Sequence, residues 1–236
     1  DFEIAQSMNY YDNKESIFID IGANCGVMSI PVSKNGYICY SFEPVLENIE
    51  SLELSKKYNN IGNNLNIEKF ALFDNVLTGY IYIPDVYSDN SSLSLIASNT
   101  NIKTTNIITR VCQCITFDDW ILSKNIIVEN IKLIKIDVQG GEFNIINGMK
   151  SFLNSSNNLM IIYEYDIKLT KNFGHDISDV SSMLELLHFT ELTKKTLQPY
   201  DKYVVPLCNI LPGNKIFWKG NSIKKINMVI LTFVIL

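Results

Sequence analysis

The stretch FIDIGANCG, residues 18–26, decides the fold of this chain. Apolar residues flank a single acid, Asp20, and two glycines, Gly22 and Gly26, follow four positions apart. A short continuous apolar run that ends in glycine is typical of a strand buried on both faces. Glycine also lets the following turn pass close to a ligand. We therefore predict a buried strand that leads into a ligand-binding turn.

Similar apolar runs recur at helix-length intervals along the chain. Buried strands are predicted at residues 16–22, 37–44, 65–74, 131–141 and 159–166, and antiparallel strands at 77–85, 107–117, 202–211 and 214–220. Helices are predicted at residues 27–35, 45–60, 117–124, 141–153 and 176–189. This alternation predicts an α/β fold with a doubly wound, mostly parallel sheet. No repeat or linker is visible, which favours one domain over residues 1–225 with a weak lead-in element at 1–16.

The first two helices carry details that a structure can test. Pro31 lies about one turn into the first helix, and it should bend this helix or confine its regular part to one side. In the second helix, the apolar spacing predicts that four leucine and isoleucine side chains face inward: Leu46, Ile49, Leu52 and Leu54.

The composition is that of an ordinary globular chain without a nucleic-acid signature. Of 236 residues, 47% are apolar and 19% are charged, and the net charge is −5. Arg110 is the only arginine, and no lysine cluster forms the basic patch that a phosphate backbone requires. We therefore expect no nucleic-acid partner. The apolar tail at residues 226–236 is shorter than the roughly 20 residues of a spanning helix, so no stable membrane span is predicted and the role of the tail stays open.

The chain has five cysteines and no secretory leader, which indicates free thiols in a reducing compartment and predicts a cytoplasmic protein. Cys112 and Cys114 are two positions apart in a β-like run, which puts both side chains on one face of a strand. The histidines, His175 and His188, lie far away in the sequence. Buried structural thiols are therefore favoured over a metal site.

Four acids fall at the predicted ends of buried strands: Asp20, Glu43, Asp137 and Glu164. In an open α/β sheet, ligands bind outside the carboxyl ends of the strands, where the strand order reverses. The four acids therefore predict a binding site. Each acid also has a structural interpretation, in which it caps the next helix or accepts hydrogen bonds from loop amides, and for Glu164 the two interpretations are balanced.

The residues around the first turn favour S-adenosylmethionine over a dinucleotide. Glu43 follows the turn by about twenty residues, where an acid accepts hydrogen bonds from a ribose diol in either kind of site. The G-x-G-x-x-G of a pyrophosphate site is absent, because Asn24 occupies its middle position. The carboxylate of Asp20 would repel a pyrophosphate, whereas it suits the ammonium group and the positive sulfonium of S-adenosylmethionine.

The chain resembles the FkbM family of S-adenosylmethionine-dependent methyltransferases in five motifs, which occur in the family's order: FIDIGANCGVMS, FEP, ITFDDW, IKLIKIDVQGGEFNIINGM and IIYEYD. The resemblance runs from about Ile17 to about Leu211. It implies a class I methyltransferase, Rossmann-like fold, with a seven-stranded sheet whose C-terminal strand is antiparallel. It also implies S-adenosyl-L-methionine as cofactor and O-methylation, often of a sugar or polyketide hydroxyl.

The resemblance also implies residues that bind the cofactor: Gly22, Asn24 and Gly26 at the methionine part, Ser29 close to it, Glu43 at the ribose, Ala71 and Leu72 along the adenine, and Asp137 at the reactive end. The chain departs from the family pattern in three places. Gln139 stands where the family usually has glutamate, Gly141 stands where alanine is common, and Pro31 interrupts the first helix.

The sequence leaves the catalytic base and the acceptor open. Asp137, Glu142 and His175 are the candidates for a general base. The long polar segment at residues 85–106 is the candidate for an acceptor-binding lid. We expect an O-methyltransferase that acts on a hydroxyl of a sugar, glycan or small molecule. A non-catalytic binding or scaffold protein and, less favoured, an NAD(P)-dependent oxidoreductase are the alternatives.

Overall fold

The computed structural model describes residues 15–84, 91, 93, 106–192 and 214–220. The strands are β1 Ile17–Ile21, β2 Ile38–Phe42, β3 Leu65–Glu68, β4 Ala71–Leu72, β5 Leu77–Pro84, β6 Ile107–Ile115, β7 Ile131–Ile136, β8 Leu159–Glu164, β9 Thr190–Glu191 and β10 Asn214–Lys219. The α-helices are α1 Ser29–Lys34, α2 Leu46–Tyr58, α3 Phe117–Ser123, α4 Glu142–Asn147, α5 Lys150–Ser155, α6 Ile167–Asn172 and α7 Ile177–Leu186.

Seven strands form one sheet in the order β3-β2-β1-β7-β8-β10-β9. The pairs β1–β2, β2–β3, β1–β7 and β7–β8 are parallel, whereas β10 runs antiparallel to β8 and β9. The strand order reverses between β1 and β7, so the crevice outside the ends of these strands is the expected place for a ligand. The predicted doubly wound sheet with an antiparallel C-terminal strand is confirmed.

The sequence of β1 explains why it lies at the centre of this sheet. All five of its residues are buried, as is expected for a strand covered on both faces. Successive side chains alternate between the faces, so Phe18 joins one apolar core cluster, whereas Ile19 and Ile21 join the other. Asp20 is the polar member of this strand, and its side chain is therefore buried as well.

A second, three-stranded sheet has the order β4-β6-β5 and was not predicted as a separate layer. Residues 65–74 were expected to form one strand, but they form two strands, because β3 pairs with β2 while β4 pairs with β6. Cys112 and Cys114 lie on the buried face of β6, as predicted, and both are free thiols. Among the described residues, no group of three or more His, Cys, Asp or Glu side chains could hold a metal ion.

Two of the predicted helices differ from those in the structure. In α2, Ile49 and Leu52 are buried as predicted, but Leu46 and Leu54 are exposed. The third buried residue of this helix is the polar Asn48. The helix expected at residues 141–153 is divided into α4 and α5. The break lies at Gly148, which packs against the turn after β4, where a Cβ would come 2.1 Å from the Phe73 carbonyl oxygen.

The ends of the short helices are set by local hydrogen bonds. The regular part of α1 begins at Ser29, only two residues before Pro31. Pro31 therefore lies in the first turn, where an N–H group has no partner within the helix and its absence costs nothing. Asp118 does not cap its own helix. Its carboxylate accepts hydrogen bonds from the N–H groups of Ser151 and Phe152, at 2.9 Å each, and thereby caps α5.

Several predicted features lie outside the described residues. These are the lead-in element up to residue 14, most of the candidate lid at 85–106, the strand at 202–211, Cys208 and the apolar tail at 226–236. In the part of the chain that is described, no helix is both long enough and apolar enough to cross a membrane.

Candidate active site

A cavity of about 500 Å³ opens at the carboxyl ends of the central strands. Its floor is formed by the residues that follow β1, β2, β7 and β8, and its opposite wall by β4, β5 and residues Ser91 and Leu93. This position is the one that the reversal of strand order predicts. The volume lies within the range of about 300–1,000 Å³ that is usual for small-molecule sites.

The turn after β1 is built from residues with left-handed backbone. Gly22 has a φ of 77°, and a Cβ there would lie 1.9 Å from the carbonyl oxygen of Asp137. Gly26 has a φ of 87°, and a Cβ there would lie 2.2 Å from a Leu52 methyl group. Gly22 and Asn24 line the cavity, whereas Gly26 packs against α2 behind it. Gly26 was predicted to contact the ligand, and its role in this geometry is to let α2 approach.

Glu43 joins this turn to the end of β2. Its carboxylate accepts hydrogen bonds from the N–H of Asn24 at 2.8 Å, the N–H of Val45 at 2.9 Å and the side-chain amide of Asn48 at 3.2 Å. Burial raises the pKa of Glu43, although these three donors oppose the rise. Oε2 accepts only one of the three bonds, so it retains a lone pair on the cavity side for a hydroxyl donor.

Asp20 was expected to face the ligand directly, and the structure places it behind the lining of the cavity. The side chain is fully buried, and Oδ2 accepts a hydrogen bond from Ser29 at 2.5 Å. Ser29 in turn accepts a hydrogen bond from Ser41 at 2.6 Å. Neither Asp20 nor Ser29 lines the cavity, because side chains alternate along β1 and that of Asp20 points beneath α1.

Lys135 connects this buried acid to the cavity. Its ammonium nitrogen lies 3.7 Å from Asp20 Oδ1 and 3.3 Å from Asp137 Oδ2. Burial lowers the pKa of Lys135, but the two carboxylates outweigh this effect and raise the pKa above its ordinary value, so the side chain is a permanent cation. Lys135 was not among the predicted site residues. The signal was its position two residues before Asp137 at the end of the same strand, since such residues share one face.

The turn after β7 is also left-handed, with a φ of 60° at Gln139 and 106° at Gly140. Glu142 secures it from below, because its Oε1 accepts hydrogen bonds from the N–H groups of Val138 at 3.2 Å and Gly140 at 3.1 Å. Burial raises the pKa of Glu142 to about 7. The structure places the buried Glu142 side chain beneath this turn and outside the lining of the cavity, where its carboxylate serves the backbone.

His175 was also a candidate base, and the structure places it away from the cavity. Its ring packs against that of Phe143 at a tilt of 37°, with ring centroids 4.1 Å apart, and Nδ1 lies 4.0 Å from a carboxylate oxygen of Asp179. The imidazole is not among the groups that line the cavity. This ring contact joins the segment before α7 to α4.

Asp137 does line the cavity, together with Glu164 from the end of β8 and Gln139 between them. The Gln139 amide nitrogen donates hydrogen bonds to Asp137 Oδ1 at 3.2 Å and to Glu164 Oε2 at 3.1 Å. Burial, followed by the negative charges of neighbouring acids, raises the pKa of Glu164 to about 8. This end of the cavity therefore has two carboxyl groups that share one amide donor.

The other end of the cavity is apolar. Ala71 and Leu72, predicted to lie along an adenine, both line it, and the remaining apolar walls come from four further residues: Phe70, Phe73, Ile81 and Leu93. Ala71 belongs to the three-stranded sheet, so this second sheet supplies part of the apolar wall of the cavity. The cavity thus has one flat apolar end, a middle with Glu43 and the glycine turn, and one acidic end.

Solved structures of methyltransferases are among those similar to this chain. SMU.1697c from Streptococcus mutans, in complex with SAH, has 13% sequence identity and a TM-score of 0.48, with 92% of this chain and 97% of that chain covered. An rRNA methylase from Streptococcus thermophilus has 12% identity and a TM-score of 0.44, with 93% of each chain covered. Precorrin-6y C5,15-methyltransferase from Geobacter metallireducens has 13% identity and a TM-score of 0.43, with 80% and 72% covered.

No curated protein sequence matches the chain. A family model does: the one described as Methyltransferase FkbM domain matches residues 20–193. This span covers well over half of the chain and contains Asp20, Glu43, Asp137 and Glu164. The predicted resemblance is thereby confirmed, with S-adenosylmethionine as the cofactor. The chain belongs to the FkbM family of methyltransferases.

Proposed function

We propose that the chain transfers the methyl group of S-adenosylmethionine to a hydroxyl oxygen of a sugar, glycan or other small acceptor. The observation that carries this proposal is the charge of the cavity. Among its described lining residues, Glu43, Asp137 and Glu164 are acids and Lys135 is the only cation. A cavity of this kind suits a positive sulfonium and disfavours a diphosphate, which argues against a dinucleotide oxidoreductase.

The shape of the cavity fits the cofactor as well. We propose that the glycine turn, through Gly22 and Asn24, holds the methionine part, and that the free lone pair of Glu43 accepts a hydrogen bond from the ribose. The apolar end at Ala71 and Leu72 then holds the adenine. A side chain at position 22 would collide with the backbone of Asp137 in the turn after β7, so a glycine there lets the two turns approach each other beside the cavity.

Residues behind the cavity wall have a supporting role in this proposal. Asp20 and Ser29 hold α1 against β1, and Gly26 lets α2 approach the turn. Asp20 influences the bound cofactor only through Lys135, which neutralises it and holds Asp137 in place. Asp137 is proposed to face the reactive end of the cofactor.

The cofactor supplies an activated methyl group, so the protein contributes chiefly by orienting the acceptor, an effect of about 7–11 kcal/mol at most. We propose that the acceptor enters from the acidic end, next to Gln139, Glu164 and Phe173. We also propose, from its length and polar composition, that the segment 85–106 contributes to acceptor binding; of its described residues, Ser91 and Leu93 line the cavity, with Leu93 at the apolar end.

We also propose that residues 1–225 act as one domain. The free thiols among the described residues are Cys25, Cys39, Cys112 and Cys114, and they favour a reducing compartment such as the cytoplasm.

Two experiments test the function. A screen for transfer of a labelled methyl group to hydroxylated glycans and small molecules should find an acceptor, and the Asp137→Asn variant should lose this transfer. Transfer to nitrogen or carbon acceptors alone would contradict O-methylation. Calorimetry should show binding of S-adenosylmethionine, and at 100 times the Kd the ligand should stabilise the fold by about 2.7 kcal/mol. Absence of heat and of a thermal shift would favour a scaffold protein.

A further inference from the structure

Glu164 lies at the acidic end of the cavity without a structural task there. The alternative role for this acid was to cap the following helix, but Asp166 caps α6 by accepting hydrogen bonds from the N–H groups of Lys168 and Leu169. Since β7 and β8 are adjacent parallel strands, Glu164 comes next to Asp137, close enough for a hydrogen bond between the two carboxyls. Glu164 is thus a half-buried acid that lines the cavity and, within the described part of the chain, accepts a hydrogen bond from a side chain and none from the backbone.

Gln139 determines how these two carboxyls lie. A carboxylate at this position would add a third negative charge beside Asp137 and Glu164. The amide of Gln139 instead donates to both, at 3.2 Å and 3.1 Å, and thereby holds them together. The left-handed backbone of Gln139 is what brings its side chain back between the two strand ends.

We propose that Glu164 is the catalytic base that accepts the proton of the acceptor hydroxyl, and that Gln139 is the positioning residue that holds Glu164 beside Asp137. This inference rests on the proposed function, because it assigns the proton acceptor for a hydroxyl substrate. As the acceptor oxygen bonds to the methyl carbon, the carbon–sulfur bond breaks with its electron pair left on sulfur. The hydroxyl proton moves to a carboxylate oxygen of Glu164, so a cation and a carboxylate become a neutral thioether and a neutral carboxylic acid.

The charges around Glu164 explain why its protonation state depends on the ligand that is bound. Burial and the negative charges of Asp137, Glu142 and Asp166 favour the protonated form, with a pKa of about 8. At neutral pH the Glu164 carboxyl is therefore mostly protonated when no cationic ligand is bound in the cavity. A sulfonium in the cavity favours the carboxylate and releases the proton. The base is then available only when the methyl donor is bound.

The nearby cations do not replace the sulfonium in this role. Lys135 lies between Asp20 and Asp137 and is neutralised by them. Lys215, on the neighbouring strand β10, directs its ammonium to Ser181 at 3.1 Å and to a carboxylate at the edge of the sheet. Among the described residues these two lysines are thus engaged elsewhere, and we expect the positive charge that ionises Glu164 to come from the ligand.

The test measures proton release by calorimetry, in two buffers of different ionisation enthalpy at pH 7, with S-adenosylmethionine and with its neutral product S-adenosylhomocysteine. The wild-type protein should release about one more proton with the sulfonium ligand than with the thioether. In Glu164→Gln this difference should disappear while both ligands still bind. The same difference in the variant and in the wild type would overturn the proposal.

Two further variants keep the test informative. Glu53→Gln alters an exposed acid that pairs with Lys69 on the surface, and it should leave the extra proton unchanged. Gln139→Gly keeps the left-handed backbone but removes the amide, so the pH at which half of the extra proton is released should rise. An unchanged midpoint would contradict the role of Gln139. Because the proton count needs no acceptor, a failure to methylate any hydroxyl would refute the proposed function in a separate experiment.

Discussion

The loop after β1 and the loop after β7 both turn through left-handed backbone and are both secured by a glutamate. In the first loop, Asn24 has a φ of 53° and donates its N–H to Glu43. In the second, Gln139 has a φ of 60°, and Glu142 accepts two N–H groups on either side of it. Two sides of the cavity are thus formed by left-handed turns whose N–H groups donate hydrogen bonds to a glutamate.

The two glutamates differ in where they come from. Glu43 belongs to the end of the neighbouring strand β2, so it reaches the loop from the side and keeps one oxygen toward the cavity. Glu142 begins the helix that directly follows its loop, so it lies beneath the turn with its whole carboxyl buried. Of these two glutamates, the one that lines the cavity is therefore the one that comes from a neighbouring strand.

The strongest way to break this comparison is to force the two loops apart. Gly22→Ala places a Cβ 1.9 Å from the Asp137 carbonyl oxygen, at a φ that disfavours any side chain. We expect a loss of about 3 kcal/mol or more in the free energy of unfolding, measured with chemical denaturant. Gly62→Ala is the matched control, since a Cβ there would meet nothing within 4 Å. Equal stability of the two variants would show that the loops do not touch.

The buried position of Glu142 predicts a pH dependence of stability. Its pKa is about 7 in the folded chain against an ordinary 4.5, so the folded state binds more protons between these values. The free energy of unfolding should therefore fall as the pH rises from 4.5 to 7, by on the order of 2 kcal/mol. Denaturant titrations of Glu142→Gln between pH 5 and pH 8 should lack this part of the fall. Parallel curves for variant and wild type would contradict the buried carboxyl.

Glu43 differs from Glu142 in that its replacement should weaken binding of the ligand. Glu43→Gln turns an amide NH₂ toward backbone N–H donors and weakens the acceptor for the ribose. The Kd for S-adenosylmethionine should rise about tenfold, which corresponds to about 1.4 kcal/mol. Glu47→Gln removes an exposed acid that pairs with Arg110, and calorimetry should find its Kd unchanged. If both variants bind equally well, Glu43 secures the loop and does nothing more.

The smallest expected effect concerns the backbone at Asn24. Alanine in the left-handed conformation costs about 1 kcal/mol, whereas glycine adopts it freely, so Asn24→Ala should be less stable than Asn24→Gly by about this amount. Both variants keep the N–H that Glu43 accepts, so both should bind the cofactor alike. Weaker binding by both variants than by the wild type would show that the Asn24 side chain takes part in binding.

The seven-stranded sheet was predictable because its central strands are buried on both faces, and their sequences are therefore continuous apolar runs. The small sheet was less predictable, because β3 and β4 are adjacent in sequence and only the pairing partner separates them. Leu46 and Leu54 were assigned to the wrong face of α2 for a related reason. Their apolar spacing is regular, but the polar Asn48 is buried instead, since it serves Glu43.

In the site, the residues that follow strands were predictable and the direction of their side chains was not. The glycine turn, Glu43 and Asp137 line the cavity, whereas Asp20, Glu142 and His175 do not. Sequence position fixes which end of the sheet a residue reaches. Whether an acid faces the ligand depends on pairing register and on which amides need an acceptor, and both arise only when the chain folds.

The hydrogen-bonded chain from Ser41 through Ser29 to Asp20 has a consequence for how this chain can vary. The three residues come from two strands and the first turn of α1, and each orients the next in a buried place. Replacing one of them leaves its neighbours with unsatisfied polar groups, so single replacements should be far costlier than combined ones, with coupling energies of about 0.5–3 kcal/mol. Relatives should therefore exchange these three positions together, as a covarying unit.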